Sequence, residues 1–273
     1  MPLYQAIVLA IVQGLTEFLP ISSTAHLALF PWLLGWKDPG LTFDVALHAG
    51  TLVAVLVYFW RYWLEMLGLL LGQSWGGNPG LGLDRKLLWF LVAATIPAGV
   101  AGLLFEHAAE EQLRSPLIIG TALVVVGLLM WAGERLGRQN QTLDHVTLLD
   151  SLLVGVAQAV AVIPGVSRSG ITMTAGMFRG MKRESAARFS FLLSTPIIGG
   201  AALKAGFDMR HEGIPPEMVM PFLVGVVIAA VVGYLVIAIL IRYLERGTFK
   251  IFVVYRVALG VLVFVLGWGL RHT

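Results

Sequence analysis

The chain contains no cysteine and little charge, and both features narrow the classes of protein that it can belong to. With no cysteine among 273 residues, disulfides, thiolate metal sites and a cysteine nucleophile are all excluded. Only 13% of the residues are charged, and the formal net charge of +3 is too small to indicate nucleic acid as a partner. The mean hydropathy of +0.83 and the 58% hydrophobic content are typical of a polytopic membrane protein. The N-terminus lacks the basic region of a signal peptide, so we expect no cleavage.

Polar residues and prolines interrupt two of the apolar segments of the chain. A bilayer crossing needs about 20 apolar residues, and only about 14 precede Glu17. Pro20 follows, and a proline cannot continue a helix without losing a hydrogen bond. The segments run over 3–34, 41–60, 87–105, 115–133, 148–181, 185–205, 218–241 and 249–269, with the first and the fifth interrupted. We therefore predict an all-α polytopic membrane protein with six transmembrane helices and two re-entrant helix-loop-helix segments.

The distribution of Lys and Arg favours this arrangement over eight complete crossings. If the first and fifth segments return to the side where they start, one side of the membrane holds 12 of the 19 basic residues and the other holds 5. With eight crossings the split becomes 9 against 8. The positive-inside rule therefore predicts re-entrant segments, with both termini outside the cytoplasm.

The two halves of the sequence resemble each other weakly, which predicts an inverted repeat. Pro20–Ser23 aligns with Pro164–Ser167, and Gln13 matches Gln158 if one gap is allowed. Three crossings follow each re-entrant segment, and this odd number inverts the second half, so that the two tips meet inside the membrane. The predicted halves are 1–140, with the re-entrant segment 3–34, and 141–273, with the re-entrant segment 148–181.

The interruption in the first segment, Gln13–His26, concentrates groups that could take part in catalysis. Gln13 and Glu17 are four residues apart and so share one helical face, where a carboxylate and an amide oxygen suit a hard cation such as Mg²⁺ or Ca²⁺. Ser23 or His26 has the chemistry to attack phosphorus, and His26 can also donate or accept a proton. An ionisable residue at membrane depth indicates a functional site.

The interruption in the fifth segment, Pro164–Thr172, supplies complementary groups. Arg168 at membrane depth costs about 2.5–3.5 kcal/mol unless it is paired, so we expect an anionic partner, either Glu17 or a bound anion. Hydroxyls and free N–H groups at the start of a half-helix form a phosphate site, and the guanidinium fork matches phosphate oxygens. Together the two interruptions predict a site for phosphoryl transfer.

Three further polar residues lie in the continuous segments. Asp44 and His48 either support the site or lie near the membrane interface, and the sequence favours neither interpretation. Arg256 starts about two turns inside the last segment, and we expect its side chain to snorkel to the cytoplasmic surface.

Both interruptions resemble signatures of one known family, the undecaprenyl-diphosphate phosphatases, also called bacitracin-resistance proteins. Gln13–His26 is similar to the family's (Glu/Gln)-x-x-x-Glu and Pro-x-Ser-Ser-Thr-x-His patterns. Pro164–Thr172 is similar to its Pro-Gly-x-Ser-Arg-Ser-Gly-x-Thr pattern, and Phe189–Leu193 also fits. Gln13 stands where other members have Glu, so a cation site here would have one carboxylate fewer.

The resemblance implies a multi-pass enzyme of the bacterial inner membrane, with its active site facing the periplasm. It implies hydrolysis of undecaprenyl diphosphate, a polyprenyl diphosphate lipid, to the monophosphate, which recycles the lipid carrier of peptidoglycan synthesis and gives bacitracin resistance. It also implies dependence on a divalent cation, Mg²⁺ or Ca²⁺. Whether the protein forms a homo-oligomer stays open, and so does the identity of the nucleophile, which is Ser23, His26 or water. The implied roles are catalysis for Glu17, Ser23, His26 and Arg168, substrate binding for Ser22, Thr24, Ser167, Ser169 and Thr172, and metal binding for Glu17 and Gln13.

Three other classes of protein compete with this interpretation. A lipid-phosphate flippase would bind the head group at the same residues without cleaving it, because inverted repeats with broken helices are a transporter architecture. A lipid phosphatase of the phosphatidic-acid type is disfavoured because its Lys-x6-Arg-Pro, Pro-Ser-Gly-His and Ser-Arg-x5-His elements are missing, with Thr174 where the last histidine would stand. A purely structural membrane protein would leave Glu17 and Arg168 unexplained.

Overall fold

The computed structural model describes residues 1–73, 75, 83, 85–111, 113, 115–212 and 215–269, and these residues form α-helices joined by short connections. Two 3₁₀ turns span Leu143–His145 and Val160–Val162. The α-helices in the described part of the chain are α1 (Leu3–Phe18), α2 (Ser23–Leu34), α3 (Leu41–Tyr58), α4 (Trp60–Leu70), α5 (Leu87–Glu111), α6 (Pro116–Leu136), α7 (Leu148–Ala159), α8 (Arg168–Phe178), α9 (Arg183–Glu212), α10 (Pro216–Leu244) and α11 (Lys250–Gly269).

Five of the described helices, α5, α6, α9, α10 and α11, are long and apolar enough to cross a membrane. A sixth crossing is formed if α3 and α4 count as one span, although the chain bends by 68° between them. The helix α3 covers the predicted crossing over 41–60, whereas α4 occupies a stretch that the sequence assigned to a loop. Leucines such as Leu103 and Leu104 point outward and are more than 70% exposed, as expected for side chains that face lipid. The chain is therefore an all-α, multi-pass membrane protein, as predicted.

Apart from α4, four of the described helices are too short to cross a bilayer, and they form two pairs. The helices α1 and α2 contain 16 and 12 residues and contact each other, as do α7 and α8 with 12 and 11 residues. A crossing needs about 20 residues. These pairs occupy the segments 3–34 and 148–181, where the sequence predicts re-entrant structure.

The contacts between helices link the two halves of the chain reciprocally. The helix α1 packs against α10 of the second half, and α7 packs against α5 of the first half. A Cβ on Gly155 of α7 would overlap the backbone of Ala94 in α5, so the close approach of these helices requires glycine. The helices α6 and α11 pack against each other between the halves. Such exchanged contacts are what an inverted repeat would produce, and the repeat itself stays a prediction.

Candidate active site

The first break follows from Pro20 and is closed by a serine. The helix α1 ends at Phe18, and Leu19 is extended (φ −64°, ψ 137°), as the residue before a proline usually is. Ser22 has a positive φ of 77°, which is uncommon for a residue other than glycine. Its hydroxyl accepts a hydrogen bond from the backbone N–H of Ala25 at 3.4 Å. The side chain thereby caps α2, which begins at Ser23.

The second break has the same local design. Ser167 has a φ of 68°, and its hydroxyl accepts a hydrogen bond from the backbone N–H of Gly170 at 3.1 Å, so it caps α8. The two capping serines therefore correspond to each other, which pairs Ser22 rather than Ser23 with Ser167. In this register Gln13 and Gln158 each lie nine residues before the capping serine without any gap, and Pro20 and Pro164 are offset by one position.

The two breaks touch each other through side chains from both halves. Arg168, the first residue of α8, donates from Nη2 to Glu17 Oε1 at 2.6 Å, and from Nη1 to the carbonyl of Ser190 at 3.3 Å. Ser169 donates from Oγ to the carbonyl of Leu19 at 3.2 Å. The expectation of an anionic partner for Arg168 is thus confirmed, and the partner is Glu17.

Glu17 is the centre of this cluster and is almost completely buried. Its Oε2 accepts hydrogen bonds from Ser23 Oγ at 2.6 Å and from Gln13 Nε2 at 3.1 Å. The Nε2 atom of His48 lies 3.4 Å from the same oxygen. The Nδ1 atom of His48 lies 2.7 Å from the carbonyl oxygen of Asp44. Of the two interpretations of His48, the structure therefore supports a place in the site.

A cavity of about 230 Å³ opens beside this cluster. Residues at the start of both half-helices line it, and the N-terminus of a helix favours a nearby negative charge. Its polar lining consists of Glu17, Ser23, Thr24, His48, Gln158, Ser167 and Arg168, and its apolar lining of Ala98, Gly102, Ala161, Val162, Ile197 and Ile198.

Five of the predicted site residues lie outside the cavity lining, and one of them is Gln13, whose amide donates to Glu17 as described above. His26 is turned away: its Nδ1 is 2.7 Å from the carbonyl oxygen of Ser22, and its Nε2 is 2.7 Å from the hydroxyl of Tyr255. Thr172 donates to the carbonyl of Arg168 at 2.7 Å, and its hydroxyl also lies 2.7 Å from that of Ser190. Ser22 caps α2, and Ser169 donates to the carbonyl of Leu19, as described above.

The prediction that Arg256 snorkels to the cytoplasmic surface is wrong, because its side chain is completely buried. It donates from Nη1 to the carbonyl of Pro20 at 3.1 Å, and from Nη2 to the carbonyls of Gly165 at 2.9 Å and Val166 at 3.0 Å. It also donates from Nε to the carbonyl of Leu123 at 3.2 Å. One guanidinium from α11 therefore binds the backbone of both breaks and connects them to α6.

Fold and cavity together define a multi-pass membrane protein with a polar cavity between two broken helices. A family model described as Bacitracin resistance protein BacA matches residues 6–262, and the chain belongs to this family. Relatives named undecaprenyl-diphosphatase include proteins of Moorella thermoacetica, 51% identical over 98% of this chain and 99% of the relative, and of Desulforudis audaxviator, 51% identical over 96% and 97%. A third, from Gemmatimonas aurantiaca, is 50% identical over 97% of both chains.

Proposed function

We propose that this protein hydrolyses undecaprenyl diphosphate to undecaprenyl phosphate and inorganic phosphate, as the names of its relatives state for them. The observation that carries the proposal is the hydrogen-bonded group of Ser23, Glu17 and Arg168 beside the cavity. A hydroxyl, a carboxylate that can accept its proton, and a guanidinium that can hold a phosphate are the parts that phosphoryl transfer needs. Recycling of the lipid carrier and bacitracin resistance follow from this reaction.

In the proposed reaction Ser23 Oγ is the nucleophile and Glu17 is the base. The Ser23 proton passes to Glu17 Oε2 while Oγ bonds to the terminal phosphorus, and the bond from that phosphorus to the bridging oxygen breaks. Undecaprenyl phosphate leaves with the bridging oxygen. Water then attacks the phosphoserine, inorganic phosphate is released, and Ser23 recovers a proton. The 2.6 Å hydrogen bond between Ser23 and Glu17 supports this pairing.

Arg168 and the two helix N-termini hold the phosphates. The planar guanidinium can bind phosphate oxygens in pairs, and it stabilises the charge that spreads over them in the transition state. His26 is a weaker candidate for attack than Ser23, because both of its ring nitrogens are engaged and the ring does not line the cavity. We therefore assign His26 to supporting the first break.

The donor set fits a divalent cation that is shared with the diphosphate, as Mg²⁺ often is. No three His, Asp or Glu side chains cluster as metal ligands in the described residues, so the protein would supply few ligands of its own. Glu17 and Gln13 would supply them, because Gln13 Oε1 is buried and has no hydrogen-bond partner in the described part of the chain. A bound Mg²⁺ or Ca²⁺ would neutralise phosphate charge.

We place the protein in the inner membrane with the site open to the periplasm. The support is the positive-inside count, 12 basic residues against 5, which favours both termini outside the cytoplasm.

The experiment is phosphate release from undecaprenyl diphosphate by the purified protein in detergent. We expect release by the parent protein, loss of at least about 100-fold in Glu17→Gln, and no loss in Glu217→Gln, whose residue is exposed on α10. Covalent phosphate trapped on the parent but not on Ser23→Ala would support the nucleophile. Transport of the lipid with no phosphate release would instead favour a flippase.

A further inference from the structure

A buried polar side chain that lines the cavity, Gln158, has no part in the reaction above. Gln158 lies in the last turn of α7, lines the cavity and is only 2% exposed. Its amide oxygen and its amide nitrogen both lack a hydrogen-bond partner among the described residues. A buried amide without partners destabilises a fold, so its presence needs a reason.

The corresponding residue in the first half shows why the Gln158 amide is free. Gln13 lies nine residues before its capping serine, as Gln158 does, and it donates to Glu17 four residues further on. The residue four positions after Gln158 is Val162, which has no acceptor on its side chain. The amide that binds the catalytic carboxylate in one half therefore has two N–H donors to spare in the other.

The neighbours of Gln158 indicate what these donors meet. Arg168, Ser167, Ser23 and Thr24 line the same cavity, so the space is bordered by a guanidinium, hydroxyls and two helix N-termini. The fold also fixes the position of Gln158, since Gly155, one turn earlier, packs directly on the backbone of Ala94. An anion in this space lies close to these donors, and among the described residues that line the cavity Gln158 is the one with a side-chain amide.

We propose that Gln158 is a substrate-binding residue whose Nε2 donates a hydrogen bond to the diphosphate of the lipid. The inference rests on the proposed function, since it names a further ligand of the same substrate. A hydrogen bond to a charged acceptor contributes enough for its loss to weaken binding by about 10-fold to 100-fold.

The test is Gln158→Met, which keeps an unbranched side chain of similar length and removes both polar groups. Purified parent and variant are compared for KM and kcat, for binding of methylene diphosphonate as a non-hydrolysable diphosphate, and for melting temperature. We expect KM and the diphosphonate Kd to rise at least about tenfold, with a melting temperature that does not fall because no native hydrogen bond is lost. Gln158→Glu should bind the diphosphonate still more weakly, because a carboxylate repels it.

The control is Gln5→Leu, which removes an amide from α1 outside the cavity and should change neither constant. A lower melting temperature with unchanged diphosphonate binding would assign Gln158 a structural role and overturn the proposal. A lower kcat with unchanged KM and Kd would assign it to the attacking water and also overturn the proposal. If the parent binds diphosphonate through Gln158 but releases no phosphate, the proposed hydrolysis fails while the binding role stands.

Discussion

Replacing Arg256 by methionine should separate the two breaks from the helices that hold them. The guanidinium is completely buried and donates to carbonyls at Pro20, Gly165 and Val166. Among the described residues no carboxylate lies within ion-pair distance of it, so its partners are backbone oxygens. Methionine fills similar space but donates no hydrogen bond.

The expected loss can be estimated from those three carbonyls. A buried acceptor left without a donor costs about 1–3 kcal/mol, so three of them cost at least about 3 kcal/mol. Removing the buried charge offsets part of this cost, because the folded variant no longer includes the desolvation penalty of the guanidinium. We therefore use the lower figure of about 3 kcal/mol, which corresponds to a fall in melting temperature of about 6–12 °C for a chain of this size.

At a temperature where the variant is still folded, we expect its rate of phosphate release to fall by more than the loss of folded protein alone would explain. The breaks place Glu17, Ser23 and Arg168, and a shift of about 1 Å in such groups can cost about 100-fold in rate. The assay is phosphate release together with a melting curve in the same detergent. Arg242→Met is the matched control, since Arg242 is exposed on α10. If Arg256→Met matches the control in melting temperature and in kcat, the guanidinium does not hold the breaks together.

Three further predictions follow from the site. Arg168→Lys should recover only part of the activity that Arg168→Ala loses, because lysine keeps the charge without the planar fork; full activity in Arg168→Lys would argue against paired contacts to phosphate. Exhaustive chelation should abolish phosphate release and added Mg²⁺ or Ca²⁺ should restore it, whereas full activity after chelation would remove the cation from the mechanism. Because the chain has no native cysteine, Leu19→Cys with Ser169→Cys should accept a short thiol crosslinker, and failure to crosslink would contradict the contact between the two breaks.

The pairing of Glu17 with Arg168 could be predicted from sequence because the argument is energetic. Each charge is costly at membrane depth, each sits at a proline-containing break, and neither break has a second residue of opposite charge. Breaks are also visible in sequence, since proline and the limit on helix length mark them. The same reasoning fails for His48, which reaches Glu17 from α3 and is brought there by helix packing that no local pattern encodes.

The prediction that Arg256 snorkels to the cytoplasmic surface failed for a physical reason of the same kind. For a single cation near the end of an apolar segment, snorkelling is the default, because it satisfies the charge without any partner. The alternative partners here are carbonyls at Pro20, Gly165 and Val166, and these exist as free acceptors only because the helices are broken. Backbone acceptors carry no signature in the side-chain sequence, so a site built from them becomes visible only in three dimensions.

The two capping serines show how the breaks combine strain with function. Glycine would adopt the positive φ of Ser22 and Ser167 without strain, and a side chain in that region costs of order 1–3 kcal/mol. A serine cap contributes about 1 kcal/mol over a residue that cannot cap, so capping alone only partly offsets the strain. Each hydroxyl also orients the first turn of its half-helix, and those first turns carry Ser23 and Arg168. The strain is concentrated at the residues that position the proposed nucleophile and the proposed phosphate ligand, and the buried Arg256 donates hydrogen bonds to the backbone of both breaks.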